Sequence, residues 1–395
     1  MLNDFLKYQA QTSPYPLGLE VSHAKGSYIF DINNKPYLDF VAGVSAVSVG
    51  HQNERVNKAI IEQLGKYSHV MVYGEYAQHP AVAYCKLLVE NLPASLNKVY
   101  LVNSGTEATE GALKLARRVT GRSQLISCNN AYHGNTMGSM SVMGFEERKQ
   151  IFRPLIPDVD FITFNNESDL EKITTKTAGI ILESIQGGAG FIEPQNDFLL
   201  KVKKRCEEVG AMMIIDEIQP GFGRTGKLFG FENYNVVPDI VIIGKGMAGG
   251  MPVGGFIANE KHMDLLTHNP KLGHITTFGG HPVIAAACLA TLQEVLEKDY
   301  AKQALEKEKL FRKLLIHPLI EEVRGKGLML AAMTPDAEIT NKAILRCHDR
   351  GLILFWLLFE GKAIRITPPL SISNEEITKG CEILLEVLDE ILDEG

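Results

Sequence analysis

Three continuously apolar stretches dominate the middle of the chain: Ala178 to Ser184, Ala211 to Asp216 and Asp239 to Lys245, each with an ionisable residue near its carboxyl end. Unbroken apolar runs of this length suit strands buried on both faces of a parallel sheet, whereas a strand with one wet face alternates. Between the first two runs, Phe198, Leu199, Val202 and Cys206 recur at helical spacing until Gly210 breaks the pattern. Strand, helix, strand predicts an α/β domain. Ligands of open α/β sheets sit outside the carboxyl ends of the strands, so Glu183, Asp216 and Lys245 are expected to face one crevice.

The flanks read differently. Strand-like pieces at Tyr28–Phe30 and Tyr37–Phe40 are separated by the turn-like pair Asn33-Asn34. Beyond His281-Pro282 helices prevail, and Ile377, Cys381, Leu384, Leu388 and Leu392 draw one apolar stripe along the final segment. The pattern predicts a large domain over residues 46–297, with a mostly parallel sheet flanked by helices. A smaller α+β domain over 298–395 carries the N-terminal segment 1–45 against it.

Composition agrees with that division. The chain has 395 residues, 45% hydrophobic and 22% charged, and a single core stops growing at roughly 250–300 residues. A formal charge of −7 removes the long-range attraction that nucleic acid or an anionic membrane surface requires. The six cysteines form no CxxC pair and no cluster with histidine at zinc-ligand spacing, so reduced thiols and no metal are expected. Asp4 stands where a secretory signal needs positive charge, and runs such as Leu352–Phe359 fall short of the roughly 18 residues of a membrane span. A cytoplasmic protein is expected.

Two segments offer phosphate chemistry. Gly221 to Lys227 nearly matches both GxGxxG and a P-loop, but Leu228 replaces the required Ser or Thr and no helical pattern follows, so a glycine-rich turn beside a site is the better reading. Asn103 to Glu110 is stronger, because the apolar Val99–Val102 runs directly into a helical pattern through Ser104, Gly105 and Thr106. Exposed amides and the helix dipole favour an anion there, although Ser104 and Glu107 also fit a capping box that would use the same amides. Asp216 and Lys245 supply the rest. A desolvated lysine near other positive groups becomes a nucleophile toward aldehydes, and a phosphate seat with a buried carboxylate completes what pyridoxal phosphate needs.

With these residues the chain resembles the class III pyridoxal-phosphate aminotransferases of fold type I, closest in pattern to acetylornithine and ornithine aminotransferases. The resemblance rests on Ser104–Ala108, Ala131–Gly134, Asp216–Gly226, Gly244–Gly254 and Thr276–Gly280, in the family's order over nearly the whole chain. It implies an amino donor and a 2-oxo acid exchanging an amino group by a ping-pong mechanism. Lys245 would form the internal aldimine and shuttle the proton, with Asp216 beside the ring nitrogen. Gly105 and Thr106 would bind the phosphate, and Tyr132 and Ile218 would cover the two ring faces. Gln219 would bond the ring oxygen, and Glu183 would belong to the same pocket. Thr277 would reach the phosphate of the neighbouring subunit, which implies a homodimer with shared sites. An aminomutase or racemase on the same scaffold, or a noncatalytic cofactor-binding relative, would use overlapping motifs.

Arg365 resembles the arginine that grips a substrate α-carboxylate, a task suited to its bidentate fork. In ornithine- and 4-aminobutyrate-type relatives a glutamate masks this arginine while an ω-amine reacts. Here Gly188 stands at that glutamate's place, Val44 replaces a substrate-side tyrosine, and His281 replaces a common asparagine. Without a partner at 188, Arg365 is expected to serve both half-reactions, favouring donor and acceptor that each carry an α-carboxylate. A small residue there also suits amine and diaminopelargonate-type transaminases.

Overall fold

The apolar stretches lie side by side at the centre of a seven-stranded sheet in the computed structural model, which describes residues 1–394. Three strands come before it in the chain: β1 (Val21–Lys25), β2 (Tyr28–Asp31) and β3 (Pro36–Asp39). The large sheet comprises β4 (Lys98–Val102), β5 (Gln124–Cys128), β6 (Val159–Ile162), β7 (Thr177–Glu183), β8 (Met212–Asp216), β9 (Ile240–Gly244) and β10 (Gly254–Ala258). Their order is β4-β10-β9-β8-β7-β5-β6, and only β10 runs against its neighbours. Every residue of β7, β8 and β9 is buried, which is why these strands read as unbroken apolar runs.

Alternate side chains of these strands enter two cores. Met213, Ile215, Val241 and Ile243 pack with Phe198, Val202 and Cys206 of the helix Phe198–Val209. On the opposite face Ile214, Ile240 and Ile242 meet Ala108, Ala112 and Leu115 of the helix Gly105–Thr120. That helix lies close to the sheet, since a Cβ at Gly111 would come within 2.3 Å of the Phe256 ring on β10. The close approach holds the helix N-terminus at the sheet's carboxyl edge.

The later strands are β11 (Glu322–Lys326), β12 (Met329–Met333), β13 (Leu352–Ile353), β14 (Phe355–Trp356) and β15 (Ala363–Ile366). Four of them form an antiparallel sheet in the order β11-β12-β15-β14, while β13 pairs in parallel with β3. The N-terminal strands thus pack on C-terminal residues. The final helix, Asn374–Asp393, starts with a capping box of Ser373 and Glu376 and buries Ile377, Cys381, Leu384 and Leu388. Leu392 departs from the expected stripe and is exposed, because Ile391 takes the inward position in the last turn.

The Gly221–Lys227 segment is a turn, as its composition predicts. Its Arg224 is fully buried and donates to the carbonyls of Leu328 and Pro368 and to Ser48 Oγ. Among the described residues no carboxylate pairs with it, and burial pushes its guanidinium down to about 9. Three distant pieces of chain therefore hang on one cation. Ser48 in turn closes on the segment after β9, since a Cβ at Gly246 would lie 2.4 Å from its hydroxyl.

Candidate active site

Parallel pairing brings the ionisable strand ends together. Glu183 sits opposite Asp216 in the register of β7 and β8, and Lys245 follows β9 directly. Asp216 is 3% exposed, its Oδ1 accepts from the amide of Ile218 at 2.9 Å, and its Oδ2 lies 2.7 Å from His133 Nδ1. A buried carboxylate held from two sides keeps a fixed direction. Glu183 Oε1 accepts from the Gly187 amide at 3.0 Å, while its Oε2 is buried without a partner among the described residues. Burial pushes this carboxyl up to about 7, with the Asp216 charge adding and His133 opposing.

Lys245 adopts φ +44°, a left-handed conformation that a long side chain takes only under constraint, and such strain gathers at functional sites. Burial lowers its amine to about 8; Asp216 and Glu183 pull the value up, and Arg365 pushes it down. The sign follows directly. Above about 8 the folded-state amine is neutral while an unfolded lysine is still charged, so this group adds stability as pH rises from about 8 toward 10.5. We predict that cofactor-free protein reacts with pyridoxal at Lys245 at a rate that climbs through pH 8 and then levels. A rate still climbing near pH 10, measured by borohydride labelling and peptide mapping, would contradict the depressed amine.

The helix Gly105–Thr120 brings its N-terminus to the same place. Ser104 Oγ accepts from the Glu107 amide at 3.3 Å, but Glu107 accepts from the amide of Asn103, at 2.8 Å, rather than from that of Ser104, so only half of the expected box is formed. It leaves the amides of Gly105 and Thr106 without acceptors among the described residues, and these are the groups an anion would take. The Thr106 hydroxyl is turned inward, at 2.7 Å from Ser139 Oγ and 2.9 Å from Thr136 Oγ1. Ile218 leans over this turn: a Cβ at Gly105 would lie 2.7 Å from its Cδ1, and one at Gly244 3.4 Å from its Cγ2.

Tyr132 is half-buried, its hydroxyl accepts from Asn135 Nδ2 at 3.2 Å, and burial raises its phenol. Gln219 Nε2 approaches Ser45 Oγ at 3.4 Å, and its carbonyl faces Gly187 beside Glu183. Arg365, on β15, is 5% exposed, with Nε and Nη1 buried and unpartnered among the described residues. Thr277 is exposed and makes no hydrogen bond to these groups among the described residues, while its neighbour Thr276 accepts from Asn103 Nδ2 at 2.6 Å. Among the described residues no group of three or more His, Cys, Asp or Glu is placed to hold a metal ion, and no helix is long and apolar enough to cross a membrane.

A family model described as aminotransferase class-III matches residues 8–388. The chain belongs to the class-III aminotransferases. It is 36% identical over 386 residues to the acetylornithine aminotransferase of Methanopyrus kandleri, with 97% of each chain covered. It is 34% identical over 377 residues to the [LysW]-aminoadipate semialdehyde/glutamate semialdehyde transaminase of Sulfolobus acidocaldarius, covering 94% of this chain and 95% of that one. The crystal structure of ornithine aminotransferase from Toxoplasma gondii superposes with a TM-score of 0.92 at 28% identity, covering 100% of this chain and 95% of that one. This class-III aminotransferase has the fold type I architecture and transfers amino groups with pyridoxal phosphate.

The residues present fit that cofactor: two free amides at a helix N-terminus for the phosphate, a buried carboxylate, and a lysine with a depressed amine. Three residues of this class-III aminotransferase escaped the sequence reading. His133, to which the sequence assigns no role, holds Asp216, and its Nε2 is itself buried and unpartnered among the described residues. Glu217 is fully buried and accepts from the amides of Gly230 at 2.6 Å and Phe231 at 2.8 Å, anchoring the loop behind Asp216. Phe359 closes on Gly188: a Cβ there would lie 2.7 Å from its ring. Adjacency to motif residues was the available signal for the first two, and Phe359 had none.

Proposed function

We propose that this class-III aminotransferase is a homodimeric cytoplasmic enzyme that exchanges an amino group between an α-amino acid and a 2-oxo acid, holding both by the carboxylate on Arg365. The single observation that carries this reading is a buried guanidinium with two unpartnered nitrogens whose charge is felt at Lys245. An unpaired buried charge is costly, and a bidentate carboxylate removes the cost. When bound, pyridoxal phosphate supplies an aldehyde for the amino group and a ring that draws electrons from the substrate carbon. Lys245 then takes and returns the proton at its Nζ, a role suited to an amine near pH 8.

The other site residues orient and shield. The amides of Gly105 and Thr106 would hold the phosphate, with Ser104 capping the helix beside them. Tyr132 and Ile218 would shield the ring of a bound cofactor, Gln219 and Glu183 would belong to the same pocket, and Asp216, fixed by His133, would present its carboxylate to it. Thr277, exposed on its own chain, would serve the site of a second subunit.

Half-reaction spectroscopy on the holoenzyme tests the reading, with α-amino acids, acetylornithine, diamines and simple amines as donors. The expected result is strong spectral conversion with α-amino acids and release of the matching oxo acid, which an aminomutase or racemase would not release. Strong turnover of a carboxylate-free amine with negligible activity on α-amino acids would overturn it.

A further inference from the structure

The inward hydroxyl of Thr106 begins a chain of polar contacts that ends on a carboxylate. Thr106 and Glu110 stand one turn apart on the helix Gly105–Thr120 and share a face. Thr136 lies between them. Its amide donates to Thr106 Oγ1 at 3.2 Å, and the two hydroxyl oxygens are 2.9 Å apart. Thr136 Oγ1 also donates to Glu110 Oε1, and the same carboxylate oxygen accepts from the amides of Gly138 at 2.9 Å and Ser139 at 3.1 Å. The buried Ser139 completes the network, with its Oγ 2.7 Å from Thr106 Oγ1 and 2.9 Å from Thr136 Oγ1.

A carboxylate only accepts, so the Thr136 proton is drawn to Glu110 and the Thr136 oxygen is left as an acceptor toward Thr106. Thr106 is thereby held by its side chain while its amide, like that of Gly105, has no acceptor among the described residues. The packing leaves little slack. A Cβ at Gly134 would lie 2.3 Å from Thr106 Oγ1, and one at Gly138 2.1 Å from Glu110 Oε2. Thr109 Oγ1 adds a second clasp by donating to the His133 carbonyl at 2.8 Å. Charge alone argues against a carboxylate one turn from an anion seat, since like charges repel. The three donors that converge on Glu110 Oε1 account for its place.

We propose that Glu110 is a positioning residue for the cofactor phosphate: acting through Thr136, it fixes Thr106 so that the free amides of Gly105 and Thr106 converge on one anion. The inference rests on those two amides as the phosphate seat and adds the residue that keeps the seat in shape. Glu110 needs no contact with the phosphate for this. Removing it leaves the Thr136 hydroxyl and two amides without their acceptor, and donors left unpaired in a packed site rearrange or pay the cost of their lost hydrogen bonds.

The test uses the full-length protein freed of cofactor, as wild type, Glu110→Leu, Glu110→Gln, Thr136→Val and the double variant Glu110→Leu/Thr136→Val. Each is titrated with pyridoxal phosphate and with pyridoxal by absorbance, and with inorganic phosphate by calorimetry. Glu110→Leu and Thr136→Val are each expected to weaken pyridoxal phosphate and inorganic phosphate by about tenfold while pyridoxal, which has no phosphate, binds as before. Glu110→Gln keeps an oxygen for the three donors and is expected to bind like the wild type. The double variant should lose no more than Glu110→Leu alone, because both changes cut one connection. Should Glu110→Leu not fold, Thr136→Val and Glu110→Gln decide. Equal losses for pyridoxal and pyridoxal phosphate would show that Glu110 only supports the fold, and would overturn the proposal. Unchanged phosphate binding in Thr136→Val, or additive losses in the double variant, would overturn it as well. Failure of the seat itself looks different: the wild type would then bind pyridoxal phosphate no more tightly than pyridoxal.

Discussion

Replacing Lys245 by alanine is expected to lower multiple turnover by about ten thousandfold, because the side chain both holds the cofactor and carries the proton. Cofactor retention should fall far less. The seat formed by the Gly105 and Thr106 amides lies on a separate helix, and the Thr106 hydroxyl is already committed to Thr136 and Ser139. Steady-state rates together with cofactor absorbance after dialysis separate the two effects. Undiminished turnover in the variant would end the assignment, and loss of cofactor without a folding defect would show that the seat is too weak alone.

The second large effect is expected at Asp216. Asparagine preserves the size of the side chain and can still accept from the Ile218 amide, but it removes the anion facing His133. The rate should fall by about a hundredfold or more, in the range lost when one preorganised electrostatic group is removed from a buried site. The Lys245 amine should drop below its value of about 8, since Asp216 is the largest influence raising it. A pH profile of labelling at Lys245 reads that change independently of turnover. An asparagine variant with wild-type rate and an unmoved profile would show that the carboxylate has no electrostatic role.

How much of this was legible depends on where the information lies. β7, β8 and β9 are buried on both faces, so local composition alone betrays them, and the rule placing ligands at strand ends brings Glu183, Asp216 and Lys245 together. The side-chain cap at Ser104 is equally local. What the sequence hides is pairing across the fold. The His133 to Asp216 contact joins residues 83 apart, and neither side chain announces the other. The closure of Phe359 on Gly188 joins two strands' worth of distant loops through a backbone bond and a ring edge, for which no periodicity exists. The left-handed backbone of Lys245 is invisible for the opposite reason: its residue type argues against it, and only the surroundings impose it.

The fastening at Arg224 bears on how the enzyme is made. Its three hydrogen bonds span sequence separations of 104, 144 and 176 residues, and one of its acceptors, Pro368, lies just beyond Arg365. A nascent chain emerges at about 5–20 residues per second and folds from its amino end, so Ser48 is present before the glycine turn while Leu328 and Pro368 follow it. The fastening at Arg224 therefore closes only once residues well beyond the cofactor-binding lysine have been made.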